Sequence, residues 1–159
     1  MRGHTKQRPE TVTVTLATLH PGQRTIADHE ARFRVVMCGR RFGKSALGIR
    51  LACDAALAGQ PVGWFSPSYK LALEAWRELL ERLAPITSRV SEQDKRLELV
   101  TGGVVEVWTL DTPDPARGRK YALVVLDEAG IAKDLTAVWQ AAIRPTLGPV
   151  EMPLAVNPG

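Results

Sequence analysis

The segment 35–46, VVMCGRRFGKSA, ends with residue types that together bind phosphate groups, namely Gly43, Lys44 and Ser45. In such a loop a glycine lets the backbone approach closely, backbone N–H groups point at the phosphates, and the next helix presents its N-terminus. The lysine reaches the β- and γ-phosphates, and the serine hydroxyl binds Mg²⁺. We therefore expect a nucleotide-binding loop made of Cys38, Gly39, Arg40, Arg41, Phe42, Gly43, Lys44 and Ser45.

This loop departs from the usual pattern at its first position, where Cys38 replaces a glycine. Gly39, one position later, is expected to supply the flexibility for the turn. The alternative is a chance Gly-Lys-Ser at an ordinary helix start, where serine and glycine are common. The context favours a phosphate-binding loop, because an apolar run (33–38) precedes it and a segment rich in Ala and Leu (Lys44–Leu57) follows it.

Two adjacent arginines, Arg40 and Arg41, are unusual beside a phosphate site. Two neighbouring guanidinium groups repel each other unless an anion lies between them, and a bound triphosphate supplies that anion. For Arg41 the alternative is a side chain that simply points to solvent.

An acidic pair, Asp127-Glu128, follows the apolar run ALVVL. Ligands of open α/β sheets bind at the carboxyl ends of the strands, which is where this pair would lie. Asp127 is expected to hold Mg²⁺, and Glu128 to orient and deprotonate the attacking water. Their side chains should diverge, as neighbours on an extended strand do. The alternative is a surface Asp-Glu at the start of a loop. Together with the loop, the pair predicts nucleotide hydrolysis with Glu128, Lys44 and Arg40 as catalytic residues.

The elements that would position these residues alternate between strands and helices. We expect strands over 11–16, 33–38, 61–66, 96–110 (a hairpin), 121–130 and 152–159, and a turn over 20–23. We expect helices over 44–57, 72–83 and 134–143, the last of them capped by Asp134. Such alternation predicts an α/β fold with a parallel sheet and helices on both faces.

Composition is that of an ordinary globular domain, since 45% of the 159 residues are hydrophobic and 24% are charged. It excludes a disordered chain, and no apolar run approaches a membrane span. The polar N-terminus lacks the apolar core of a signal peptide, so we expect a cytoplasmic protein. The net charge of +4 permits a nucleic-acid partner. Cys38 and Cys53 have the spacing of neither a zinc site nor a disulfide framework, and we expect two buried free thiols.

The segments GRRFGKS and VVLDEAG resemble those of the ATPase domain of the large terminase subunit, the DNA-packaging motor of tailed phages. The phosphate-binding loop of that family often lacks its usual first glycine, which accounts for Cys38. Four further segments, LHPGQ, GWFSPSYKLALEAW, IRPTL and AVNPG, resemble parts of the family in the same order. The resemblance covers residue 19 to the C-terminus. It implies a P-loop NTPase of the ASCE type, with a mostly parallel central sheet and helices on both faces.

The resemblance also implies roles for individual residues. Arg40 would be an arginine finger that acts in cis or toward a neighbouring subunit. Gln23 would contact adenine, although a solvated surface glutamine is the alternative. Asn157, followed by Pro158 and Gly159, would sense the γ-phosphate and couple hydrolysis to movement.

At the level of the whole protein, the resemblance implies a motor domain that uses ATP and Mg²⁺ to move double-stranded DNA into a procapsid. The portal protein, the small terminase subunit and further copies of this chain in a ring would be its partners, with no membrane involved. Residues 1–18 would form an arm with a short strand, and 19–159 the ATPase domain, truncated at its C-terminus and without a nuclease domain. A helicase-type translocase and a non-hydrolysing nucleotide-binding fragment are the alternatives.

Overall fold

The computed structural model describes residues 11–112, 116 and 118–147, and the backbone of 154–156. Within these residues a seven-stranded sheet has the order β1-β7-β6-β2-β5-β4-β3. The strands are β1 (Phe33–Val35), β2 (Pro61–Ser66), β3 (Thr87–Ser91), β4 (Arg96–Leu99), β5 (Val104–Thr109), β6 (Leu123–Leu126) and β7 (Leu154–Val156). The helices are α1 (Pro21–Ala27), α2 (Lys44–Leu57), α3 (Tyr69–Leu83) and α4 (Leu135–Val138).

The sheet is mixed but mostly parallel. Strands β1, β7, β6, β2 and β5 pair in parallel, whereas β5, β4 and β3 form an antiparallel meander. This arrangement confirms the predicted α/β architecture and the predicted hairpin of β4 and β5. Strand β3 was not predicted, because its sequence TSRVS contains a single apolar residue and its middle three residues are exposed at the edge of the sheet.

Helices α2 and α3 cover one face of the sheet, and both were predicted. Helix α2 is rich in small residues, and Gly48 lies so close to Trp64 that a Cβ there would approach the ring to 3.0 Å. Helix α3 begins where the Ser68 hydroxyl accepts a hydrogen bond from the backbone N–H of Leu71 at 3.4 Å. Its buried stripe consists of Ala72, Ala75, Trp76, Leu79 and Leu83. The main apolar core therefore lies between these helices and the sheet.

The opposite face of the sheet is covered by the irregular helical segment 129–147. Side chains that alternate with those of the main core, such as Phe65, Val124 and Leu126, pack against this segment. The predicted cap is confirmed, because the Asp134 carboxylate accepts a hydrogen bond from the N–H of Ala137 at 3.4 Å. Helical structure continues through 143, with Trp139–Ile143 in π-helical geometry, and a 3₁₀ turn over Arg144–Thr146 follows.

Two predictions for the N-terminal segment are wrong. Residues 11–16 form no strand; the alternation instead reflects Val14 and Leu16, which pack against the main core. Residues 20–23 form no isolated turn, because Pro21 occupies the first position of α1 and its fixed φ suits a helix start. The fold thus places a helix, rather than a turn, immediately before β1.

A buried polar network that the sequence did not reveal fixes the segment leading into β6. The Glu106 carboxylate is 2% exposed, and it accepts hydrogen bonds from the Tyr121 hydroxyl and the Arg96 guanidinium. The indole N–H of Trp108 donates to the Tyr121 oxygen at 2.7 Å. Burial and the neighbouring Glu106 carboxylate raise the pKa of Tyr121, so its hydroxyl stays protonated and keeps donating.

Replacing Tyr121 with Phe should lower the free energy of unfolding by about 1–3 kcal/mol, because it leaves the Trp108 N–H and one Glu106 oxygen without partners in the interior. Urea unfolding measures this change. Tyr69→Phe is the control, since the Tyr69 side chain is 64% exposed and should lose almost nothing. Equal stability of the two variants would contradict the role assigned to the network.

Candidate nucleotide-binding site

The phosphate loop (residues 38–45) connects β1 to α2 and bends at Gly43. Residues Arg40–Phe42 form a single 3₁₀ turn, and Gly43 has φ 82° and ψ 43°, a left-handed conformation that favours glycine. Gly39 has φ −61° and ψ 161°, which any residue adopts, and a Cβ there would meet nothing within 4 Å. The turn therefore depends on Gly43, and the flexibility expected from Gly39 is not required.

Ser45 and Asp127 meet across the top of the sheet, although 82 positions separate them in the sequence. The Ser45 hydroxyl donates to the Asp127 carboxylate, with distances of 3.0 Å to Oδ1 and 3.3 Å to Oδ2. Ser45 lies in the first turn of α2, and Asp127 directly follows β6. Asp127 is 7% exposed, and its backbone N–H donates to the Phe65 carbonyl at 2.9 Å. The two predicted magnesium ligands are thus neighbours.

Glu128 is half-buried beside Asp127 but does not extend the strand. Its backbone is left-handed, with φ 51° and ψ 37°, and it precedes the 3₁₀ turn Ala129–Ile131. We expected the side chains of the two acids to diverge because of an extended backbone, and that reason is wrong. Strand β6 ends at Leu126, and the left-handed backbone of Glu128 changes the direction of the chain. A non-glycine residue in this conformation costs roughly 1–3 kcal/mol and is common at functional sites.

A cleft of about 520 Å³ lies beside this pair, between α2 and α3. We call it the acidic cleft; its lining includes Ser45, Trp64, Glu74, Glu78, Asp127 and Glu128. Glu74 and Glu78 belong to α3, and no motif in the sequence indicates that they border the cleft. Glu78 is paired with Arg82 at 2.8 Å. The cleft combines carboxylates with space for water or a cation.

Mg²⁺ bound here would need oxygen ligands beyond those of the protein. The described residues contain no group of three or more His, Cys, Asp or Glu side chains placed to hold a metal ion. Ser45 and Asp127 nevertheless fit Mg²⁺, which is usually held by one or two protein oxygens, substrate phosphates and water. The donor set suits a metal ion that arrives with a nucleotide.

The cationic residues of the phosphate loop lie at its surface. Arg40 and Arg41 are exposed, and Lys44 is half-buried as the first residue of α2. The expectation of two buried thiols holds only in part. Cys53 is fully buried, which raises its pKa to about 12, whereas Cys38 in the loop is half-buried.

Gln23 lies beneath the phosphate loop rather than at the surface. Its side-chain N–H₂ group donates to the carbonyls of Phe42 at 3.3 Å and Gly43 at 2.9 Å, and its Oε1 accepts from the backbone N–H of His20 at 3.0 Å. His20 was not predicted. Its Nε2 lies 2.9 Å from the Phe42 carbonyl oxygen, and its Nδ1 accepts from the N–H of Gln23 at 3.4 Å. The structure thus excludes the alternative of a solvated glutamine.

An apolar cavity of about 570 Å³ lies between α1 and β1, next to the phosphate loop. Its lining includes Gly22, Ile26, Phe33, Arg34, Val35 and Phe42. Arg34 is 6% exposed; its Nη1 donates to the carbonyls of Ile26 and Ala27, at 2.6 and 2.9 Å, while its Nε has no partner among the described atoms. Burial lowers the pKa of Arg34.

The coupling residues predicted at Asn157, Pro158 and Gly159 lie outside the described residues. The backbone of β7, which precedes them, lies between β1 and β6. No helix in the described part of the chain has the length and apolar character needed to cross a membrane.

Comparisons with known proteins point to one group. The large terminase subunit of Escherichia phage T5 is 30% identical over 126 residues, which are 77% of this chain and 29% of that protein. The large-terminase ATPase domain of Thermus phage P74-26 superposes with a TM-score of 0.71 at 25% identity, covering 87% of this chain and 64% of that chain. The HK97 bacteriophage large terminase, at 17% identity, shares the fold with a TM-score of 0.68 over 89% of this chain and 33% of that chain.

No protein-family model matches the chain. The chain spans less than a third of the length of the T5 protein. Sequence similarity and superposition nevertheless agree with each other and with the resemblance carried by the two motifs, which is thereby confirmed. The chain is related in sequence and in fold to the ATPase domain of phage large terminases.

Proposed function

We propose that this chain is an ATPase motor domain that couples the hydrolysis of Mg-ATP to the movement of double-stranded DNA into a procapsid. The single observation that carries the proposal is the contact between Ser45 and Asp127 at 3.0 Å. A Mg-nucleotide site needs two parts. One is a serine in the first turn of a helix that follows a left-handed glycine, and the other is a carboxylate at the end of a buried parallel strand.

Lys44, Glu128 and Arg40 lie near this contact, and we assign each of them a role in binding or hydrolysing the nucleotide. Lys44, at the start of α2, would bind the β- and γ-phosphates, and Mg²⁺ would neutralise charge on their oxygens. Glu128 borders the acidic cleft and would orient the attacking water and accept its proton. Arg40 is exposed, so it would act as an arginine finger only after turning toward the γ-phosphate, or toward the nucleotide of a neighbouring copy.

The apolar cavity is the part of the site suited to a base. Aromatic and aliphatic side chains line it, and it adjoins the phosphate loop through Phe42. Gly22 lines the cavity, and Gln23 is the next residue in the chain. Because both N–H bonds of the Gln23 amide already reach loop carbonyls, Gln23 would meet adenine through its oxygen.

The proposal of a motor function is supported by the similarity to large terminases and not by the geometry of the site. Large terminases are the proteins that this chain resembles, and DNA packaging is the work that the resemblance implies. Under this proposal the chain would act on double-stranded DNA as one copy in a ring, together with a portal protein and a small terminase subunit. Asn157, Pro158 and Gly159 would transmit the state of the γ-phosphate to the moving parts.

Phosphate release from ATP by this chain, with Mg²⁺ and then with excess EDTA, tests the catalytic part of the proposal. We expect turnover that requires Mg²⁺ and that rises when double-stranded DNA is added. Tight ATP binding without turnover, in the presence and absence of DNA and at high protein concentration, would instead indicate a non-hydrolysing nucleotide-binding fragment.

A further inference from the structure

Helix α1 contacts the phosphate loop through a group of side chains that the proposed function leaves unexplained. The Gln23 side chain is 5% exposed, and its amide group makes three hydrogen bonds: two to loop carbonyls and one from the backbone of His20. A carboxamide so enclosed fixes the position of whatever it bonds, because a buried polar group is costly to leave unpaired. Here it bonds the two peptide units on either side of Gly43.

The orientation of those two peptide units decides where their N–H groups point. In a planar trans peptide the C=O of one residue and the N–H of the next point in opposite directions. Because the carbonyl of Phe42 is held toward α1, the N–H of Gly43 points away from α1. The carbonyl of Gly43 accepts hydrogen bonds from the Gln23 side chain and from the N–H of Leu47, the latter at 3.0 Å. The N–H of Lys44, in the same peptide unit, therefore points away from these two donors.

We propose that Gln23 is a positioning residue for phosphate binding, which sets the backbone N–H groups of Gly43 and Lys44 toward the phosphates before any nucleotide arrives. The proposal rests on the proposed function, since it concerns the same site. It assigns Gln23 a role that does not depend on the base of the nucleotide. Donors that are already oriented need no reorganisation when the anion binds.

Further contacts hold α1, and with it Gln23, in a fixed position against the phosphate loop. The His20 ring contacts the same Phe42 carbonyl. It also packs edge-on against the Phe42 ring, with 4.8 Å between the two ring centroids. Arg34 holds the other end of α1 through the carbonyls of Ile26 and Ala27. A Cβ at Gly43 would lie 2.8 Å from the Gln23 nitrogen, so glycine there serves both the left-handed turn and this contact.

Gln23→Glu and Gln23→Met separate this role from a contact with adenine. Glutamate has the same shape as glutamine and keeps an oxygen that accepts from the backbone N–H of His20. The two reciprocal hydrogen bonds between His20 and residue 23 that cap α1 therefore survive, while both donors to the loop are lost. Methionine removes the same donors without adding a charge. Gln93→Glu, an exposed glutamine in the turn between β3 and β4, is the control for the charge change. Circular dichroism confirms that each variant is folded.

The decisive probe is inorganic tripolyphosphate, which has the phosphates of ATP and no base. We expect both Gln23 variants to bind tripolyphosphate about tenfold more weakly and ATP more weakly by at least the same factor, since two hydrogen bonds that orient the loop are lost. We expect Gln93→Glu to match the wild type. Weaker ATP binding with unchanged tripolyphosphate binding would overturn the proposal in favour of a base contact. An effect of Gln23→Glu alone would assign the loss to charge and also overturn it.

Hydrogen exchange of the unliganded protein gives a second test that needs no nucleotide. Peptides that cover the phosphate loop should exchange faster in both Gln23 variants than in the wild type, while α3 is unchanged. Unchanged exchange in the loop would overturn the positioning role. A wild type that binds no nucleotide, but whose loop exchange responds to Gln23, would refute the proposed function and leave the orientation of the loop by Gln23 standing.

Discussion

Replacing Glu128 with Gln is expected to slow ATP hydrolysis by a factor of about 10²–10⁴ while ATP binding stays nearly unchanged, because only proton transfer from the attacking water is lost. Glutamine keeps the size of the side chain and can still orient water, but it cannot accept the proton. Glu128 borders the cleft in which the attacking water must lie. Phosphate release and equilibrium ATP binding, measured on the same preparation, separate the two effects.

Glu74→Gln is the control for this experiment, because Glu74 is a second carboxylate of the acidic cleft but belongs to α3. We expect turnover within a factor of a few of the wild type. If Glu74→Gln abolished turnover and Glu128→Gln did not, the assignment of the catalytic base to the end of β6 would be wrong.

Replacing Asp127 with Asn is expected to weaken Mg²⁺-dependent ATP binding by about a hundredfold, whereas binding in EDTA is unchanged. Asparagine still accepts the hydrogen bond that Asp127 takes from the Ser45 hydroxyl at 3.0 Å, so the local packing survives. What it lacks is the negative charge that favours a divalent cation in this buried position. Isothermal titration with and without Mg²⁺ measures the difference.

Asp134→Asn provides the matching control for that substitution. Asp134 caps α4 and has a left-handed backbone, with φ 49°; asparagine can both cap a helix and adopt this backbone conformation. Its Mg²⁺ dependence should equal that of the wild type. A similar loss in the two variants, or none in Asp127→Asn, would show that Asp127 does not hold the metal ion.

Local sequence signals were sufficient for the elements that carry the site. The Ala- and Leu-rich run after Ser45 gave the bounds of α2, and the apolar strand before Asp127 located the second half of the site. Parallel strands place their carboxyl ends at one edge, which is why Ser45 and Asp127 could be expected together from such distant positions. The confirmed cap at Asp134 followed from residue type alone.

Other features depend on tertiary contacts that no local pattern encodes. Hydrophobic and polar residues do alternate over 11–16, but no strand pairs with this segment, and Val14 and Leu16 pack against the main core instead. His20 caps α1 although histidine is not a preferred cap, and its other nitrogen contacts the phosphate loop. The burial of Gln23 and the left-handed backbone of Glu128 arise from the packing of the site itself. Residues at functional sites are where local rules are expected to fail.

The most direct test of the account is a crystal structure of this chain with Mn²⁺ and a non-hydrolysable ATP analogue, in which anomalous scattering locates the metal ion. We expect one manganese held by the Ser45 hydroxyl and Asp127, with Lys44 contacting the β- and γ-phosphates and Glu128 facing the γ-phosphate. A nucleotide bound elsewhere, or a metal ion that contacts neither Ser45 nor Asp127, would contradict the claim that this edge of the sheet is a Mg-ATP site.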